Sequence, residues 1–300
     1  GLFDDIWRNI ILFSEHTWAS FNSVSQPDHD ETVKQLRVKD DRAERAALEI
    51  DDVMNRSLSQ LADQIHVPAN TLVVFNSLNW HRDMLVETDL FEHPKLTDLA
   101  THQEIPLQVL YHKQKFLHVR FLAKDIPAVG YKCYGITYEK QGDPAVQTSP
   151  DQTVENQYYR IQIDPQSGAL SSIYDKQLNR EIVDAQSPYK FGQYLYVTGG
   201  DGDTQMINPF PALPPGELTV HPATGGKVIG VEHLPWGESI RTVSSGVNTP
   251  KIETEILLFN NEKKIQFRFH VQKEYTNAKE AVYFAFPAAV SNSAFTYATQ

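Results

Sequence analysis

The residue best equipped for chemistry in this chain is His16, which sits in Leu12-Phe13-Ser14-Glu15-His16-Thr17-Trp18 at the end of an apolar helical stretch. An imidazole binds zinc through either ring nitrogen. A zinc site open for catalysis takes three protein ligands and a water. The short spacings that supply such ligands locally, H-E-x-x-H and C-x-x-C, do not occur here. His16 therefore either joins ligands brought from elsewhere or remains a helix-terminal histidine that caps carbonyls. Glu15 beside it is a candidate acceptor to orient the imidazole, although adjacent residues on a helix point apart. Thr17 and Trp18 are the flanking side chains that a substrate near His16 would meet.

Other combinations are weaker. Gly199-Gly200-Asp201-Gly202-Asp203 lacks the full acidic spacing of a calcium loop and reads as a solvated turn. His233, Trp236 and Glu238 can be arranged as a sugar platform, but a structural role is the simpler expectation. Asn55-Arg56-Ser57 has the form of a glycosylation sequon yet falls inside a long helical pattern. His112, His118 and His270 alternate with apolar residues, so they are expected to face solvent. The single Cys133 excludes an internal disulfide and reads as a small core residue beside Tyr131 and Tyr134.

Composition narrows the partners. A net charge of -11 disfavours nucleic acid and anionic membrane surfaces and leaves neutral ligands open. The longest near-continuous apolar run, Ile10 to Phe13, falls far short of the roughly 20 residues needed to span a bilayer. The first residues have neither the basic start nor the cleavage site of a signal peptide and read as the middle of a helix. The chain is expected to be a segment of a longer protein.

The elements that must hold these residues change period along the chain. Leu2, Ile6, Ile10 and Phe13 recur at steps of three and four, and Trp7 and Ile11 widen the stripe, which predicts a helix buried on two sides. Ala43, Ala47, Ile50, Met54, Leu58, Leu61 and Ile65 repeat likewise and predict a long helix with a coiled-coil-like seam. Asp40, Arg42, Arg45, Glu49 and Asp52 lie on its solvated side. Two such helices leave an apolar seam that calls for a third. Residues 1–67 thus form a helical segment, part of a three-helix bundle.

Beyond Pro68 the pattern alternates. Leu117, Val119 and Phe121 interleave with His118 and Arg120, as in a half-buried antiparallel strand. Residues 68–150 read as a small β-sandwich followed by a linker over 141–152. Residues 151–300 carry hairpin signals. Tyr159, Ile161 and Ile163 turn at Pro165-Gln166-Ser167-Gly168 into Ala169 to Tyr174. Ile252, Thr254, Ile256 and Leu258 pair across Asn260-Asn261 with Ile265, Phe267, Phe269 and Val271. The face bearing Lys264, Gln266, Arg268 and His270 is wet or meets more protein.

Several motifs, in order, resemble α-mannosidase-like proteins of glycoside hydrolase family 38. They are Trp7 through Trp18, Val74-Phe75-Asn76-Ser77-Leu78-Asn79-Trp80, Pro127-Ala128-Val129-Gly130-Tyr131, Glu155-Asn156-Gln157-Tyr158-Tyr159-Arg160, Gly168 to Lys176, and Ala281 to Pro287. The resemblance implies a mainly β fold with an N-terminal helical segment. Helices of an incomplete three-helix bundle are followed by a small β-sandwich and part of a large galactose-mutarotase-like β-sandwich. An α/β barrel-like catalytic domain would lie upstream in the intact protein.

It also implies a zinc-dependent retaining glycosidase acting on glycans. Zinc would be held by a His and two Asp, one of them the nucleophile, and by a bundle histidine that His16 matches. The nucleophile, the acid/base and the other three ligands would lie upstream, leaving no catalytic residue in this chain and the chain inactive by itself. A retaining mechanism places two carboxyl groups about 5–5.5 Å apart, and zinc adds Lewis acidity. Many relatives carry His-His-Asp where this chain has Glu15-His16-Thr17, and Thr17 supplies no carboxylate. The competing reading is a non-catalytic carbohydrate-binding or structural β region of a degenerate relative.

Overall fold

A computed structural model describes residues 1–15, 20, 22–23, 25–139, 152–199 and 217–290, together with the backbone of 147–149. The chain forms two compact units, one of residues 1–73 with 133–135 and the other of 74–132 with 136–300.

In the first unit, α1 (Leu2–Phe13) packs on α2 (Asp30–Ala62). The start of α2 is set by His29, whose Nδ1 accepts the Glu31 amide at 3.3 Å, and by Asp30 and Glu31 at the positive end of the helix dipole. No glycine or proline interrupts its 33 residues. The apolar stripes face differently from expectation. Only Ile6 of α1 is buried, whereas Trp7 and Ile11 are 61% and 63% exposed, so α1 is covered on one side. On α2 the buried positions are Thr32 and Ala46. The seam through Ile50, Met54, Leu58 and Leu61 is exposed, and Ile65 lies beyond the helix end. The covered side of α2 runs instead through Thr32, Lys39, Arg42, Ala43, Ala46 and Glu49, a mixture of small and long charged residues rather than the apolar seam.

The first β region contains β1 (Thr71–Asn76), β2 (Arg82–Phe91), β3 (Pro94–Asp98), β4 (Glu104–Ile105), β5 (Gln108–Lys113), β6 (Phe116–Ile126) and β7 (Gly130–Tyr138). They make one sheet in the order β1-β7-β3-β4 and another in the order β2-β6-β5. The motif at 74–80 is explained by Asn76, which is 3% exposed. Its Nδ2 donates to the carbonyls of Trp80, Ile126 and Pro127 at 2.8, 3.3 and 2.9 Å, and its Oδ1 accepts the Leu78 amide at 3.1 Å. One carboxamide thereby ties the end of β1 to the turn before β7.

The second region starts with β8 (Gln147–Ser149), β9 (Thr153–Glu155), β10 (Tyr159–Ile163), β11 (Leu170–Asp175), β12 (Arg180–Glu181) and β13 (Gln193–Gly199). It continues with β14 (Leu218–Pro222), β15 (Thr224–Leu234), β16 (Gly237–Gly246), β17 (Thr249–Phe259), β18 (Ile265–Gln272) and β19 (Glu280–Ala285). Three sheets result, ordered β12-β11-β10-β9, β14-β13-β19 and β18-β17-β16-β15-β8. The expected linker is therefore interrupted, because 147–149 pairs with β15 as an edge strand. Both predicted hairpins form, with Ile161 opposite Ile173 and Ile256 opposite Phe267.

Alternation along β17 builds two cores. Ile256 and Leu258 join Ile161, Ile163, Leu170 and Ile173, while Leu257 and Phe259 join Leu122, Leu234 and Trp236. Every residue from Ile256 to Phe259 is buried because a second layer lies on each face. Asn156 locks this region as Asn76 locks the first. Its Nδ2 donates to the Phe259 carbonyl at 2.8 Å, and its Oδ1 accepts the amides of Tyr158 and Tyr159, both at 2.9 Å.

Candidate functional site

Glu15 follows the C-terminus of α1, where Lys39 of α2 pairs with its carboxylate and donates to its carbonyl at 3.2 Å. This two-point hold fixes the residue immediately before His16. His16, Thr17 and Trp18 lie outside the described residues, as do Gly200 to Asp203 of the candidate calcium loop. Among the described residues, no group of three or more His, Cys, Asp or Glu side chains is arranged to hold a metal ion.

The other histidine candidates resolve into structural roles. Trp236 is 3% exposed and packs beside Phe259 at 6.0 Å, so it offers no face to a sugar. His233 pairs with Glu238 at 2.6 Å. Burial raises the Glu238 pKa, and the histidine only partly offsets it. His118 departs from the expected solvent-facing position. It is one-fifth exposed, contacts Asp89 at 2.6 Å and stacks on Tyr111 at 4.6 Å. A flanking carboxylate and an aromatic neighbour on β5 cover it.

The largest polar constellation is one that strand alternation did not anticipate. Arg120, read as the wet face of a half-buried strand, is 2% exposed. Its Nη1 and Nη2 donate to Glu255 at 2.7 and 2.8 Å, its Nε donates to Glu87 at 2.8 Å, and Nη1 also reaches Gln108 at 3.3 Å. Gln108 passes the chain of bonds to Glu232, which Arg241 neutralises, and Arg268 bonds Glu87 from β18. Three carboxylates thus face three guanidiniums between the sheet of β2, β6 and β5 and the sheet containing β15 to β18. Burial works to raise the Glu87 pKa, but hydrogen bonds from Arg268 and Arg120 outweigh it and hold the carboxyl below its ordinary range. Burial likewise disfavours the Arg120 cation, yet Glu255 and Glu87 leave its pKa raised. The sequence signal was a lone arginine amid the apolar run Leu117 to Ala123, matched by glutamates alternating along Ile252 to Leu258.

The sheets formed by β8 to β19 are antiparallel throughout. Residues 154–300 match the glycosyl hydrolases family 38 C-terminal domain. This part of the chain is a glycosyl hydrolase family 38 C-terminal domain. A comparison with curated proteins finds no match. The match implies glycoside hydrolysis as the chemistry of a protein that carries this domain, with a glycan as the substrate class. The matched span runs from β9 to the end of the chain and takes in both predicted hairpins, the Asn156 lock and Glu255.

Proposed function

We propose that this chain supplies the bundle ligand and the supporting β domains of a zinc-dependent, retaining α-mannosidase-like glycoside hydrolase. The observation that carries this reading is the family 38 match over 154–300. Further support comes from the position of His16, directly after a glutamate that α2 anchors. In this reading His16 ligates zinc, while Glu15, fixed by Lys39, orients the approach to it. Thr17 and Trp18 border the sugar. When bound, zinc supplies Lewis acidity and orientation of sugar hydroxyls. The nucleophile, the acid/base and the remaining ligands belong to a preceding domain, so the chain by itself is inactive. The exposed seam through Ile50, Met54, Leu58 and Leu61 suits a further helix of the bundle.

The test compares the intact parent with its His16→Ala variant on an aryl α-mannoside, measuring bound zinc alongside rate. Loss of both supports the reading. An active parent indifferent to the substitution removes His16 from the site, and an inactive parent points to a degenerate relative. Enzyme-like hydrolysis by the isolated chain would overturn the division of labour.

A further inference from the structure

The turn joining β17 to β18 packs near the start of β2 and leaves a cleft of about 180 Å³. Its floor includes Leu122 and Phe259, and Lys264 holds its ammonium 5.0 Å over the Phe259 ring. Most of its polar walls are already committed. Asp83 accepts the Asp125 amide at 2.8 Å and a side-chain hydrogen bond from Asn261. Glu262 lies 3.7 Å from Lys264, and Arg268 bonds Glu87.

Two lining groups are left over. The guanidinium of Arg82 and the carboxamide of Gln266 make no hydrogen bond or ion pair among the described residues, although both are half-buried. A guanidinium presents five donors in a planar fork that matches the paired oxygens of a carboxylate, sulfate or phosphate. Gln266 adds a neutral donor, while the charge of Lys264 is offset by Glu262. The volume accommodates one such group with its immediate carrier. In a protein of net charge -11, this local excess of donors stands out.

We propose that the cleft is an oxyanion subsite in which Arg82 and Gln266 grip the acidic group of a small ligand. The shared chemistry is the oxyanion, carried either by a free inorganic ion or by an acidic sugar. The inference stands on this chain's own side chains and is independent of the glycosidase reading.

The 300-residue chain, isotopically labelled, would be titrated with inorganic sulfate, glucuronate and neutral methyl glucoside while side-chain amide resonances of Asn261 and Gln266 are followed by NMR. Saturable shifts with the two anions and none with the neutral sugar are expected. Arg82→Gln weakens binding by about tenfold or more, since it removes a charge-assisted bidentate contact. Gln266→Leu provides an independent variant should Arg82→Gln unfold. Tighter binding of glucuronate than sulfate identifies an acidic sugar as the source, and equal binding identifies the free anion. Absence of saturation, equal response to methyl glucoside, or full binding by well-folded Arg82→Gln overturns the proposal.

Discussion

Arg120 grips Glu255 through two parallel hydrogen bonds, Nη1 to Oε1 at 2.7 Å and Nη2 to Oε2 at 2.8 Å, across 135 residues of sequence. The arginine is buried and the glutamate side chain is 14% exposed. Taking both charges out of water costs nearly as much as their attraction returns, so the pair fixes geometry more than it adds stability. Losing one partner is a different matter. Glu255→Ala leaves the guanidinium buried with only Glu87 and Gln108, and is expected to cost about 3–5 kcal/mol in urea unfolding. Arg120→Met combined with Glu255→Leu should recover most of that loss. A single variant within about 1 kcal/mol of wild type would show that the pair is solvated, as surface pairs are.

This pair also marks where the sequence was legible. Period-two alternation placed β6 and β17 correctly, and the turn residues Ser167-Gly168 and Asn260-Asn261 set both hairpins. What alternation cannot show is whether the second face of a strand meets water or another sheet. Arg120 and Glu255 look like surface residues until the strands of 82–126 and 224–272 are laid together. The helices failed in the opposite sense. Trp7, Ile50 and Leu61 predict burial from their spacing, yet they are exposed because periodicity identifies an apolar face without naming its partner. The candidate metal ligand was legible only as a type and position, since its proposed co-ligands belong to another part of the protein.

Asn76 provides a test of hydrogen-bond chemistry at fixed size. Its amide nitrogen points at three carbonyls, and its oxygen caps Leu78. Asn76→Asp is nearly isosteric and keeps the cap, but it turns an acceptor towards acceptors. We expect it to be more destabilising than Asn76→Ala, with a cost of at least about 2 kcal/mol, because the repelled carbonyls and the carboxylate all lose partners in a buried site. Thermal unfolding of the two variants decides the matter. Greater stability of the aspartate form at neutral pH would mean that the cap to Leu78 dominates.

Acid should weaken the second β region through Glu181. Burial raises its pKa, but the Ser172 hydroxyl and the amides of Val183, Ile173 and Ile182 more than compensate and leave it lowered. A carboxyl with a folded pKa below its unfolded one binds fewer protons when folded. Its contribution is therefore complete above the ordinary glutamate value of about 4.3, and fades as pH falls from there through the lowered folded value. Glu181→Gln should lower stability at pH 7 and flatten the acid limb of a stability profile below about pH 5. An acid limb as steep as that of wild type would assign the loss to other carboxylates, such as Asp98 beside Lys132.

Two glycines of β15 separate close packing from mere flexibility. A Cβ on Gly226 would lie 2.2 Å from the Gly168 nitrogen and 2.5 Å from the Ser167 carbonyl carbon, both backbone atoms of the turn between β10 and β11. That turn is itself constrained. Gly168 has φ +73°, its amide donates to Asp164 at 2.8 Å, and its carbonyl accepts the Thr242 hydroxyl at 2.8 Å. Neither side can give, so Gly226→Ala should cost about 3 kcal/mol or more, at the upper end of overpacking effects. Four residues on, a Cβ at Gly230 meets nothing within 4 Å. Gly230→Ala should be neutral or stabilising by up to about 1 kcal/mol, since it restricts the unfolded chain. Equal effects of the two substitutions in urea unfolding would refute the close approach of the turn to β15.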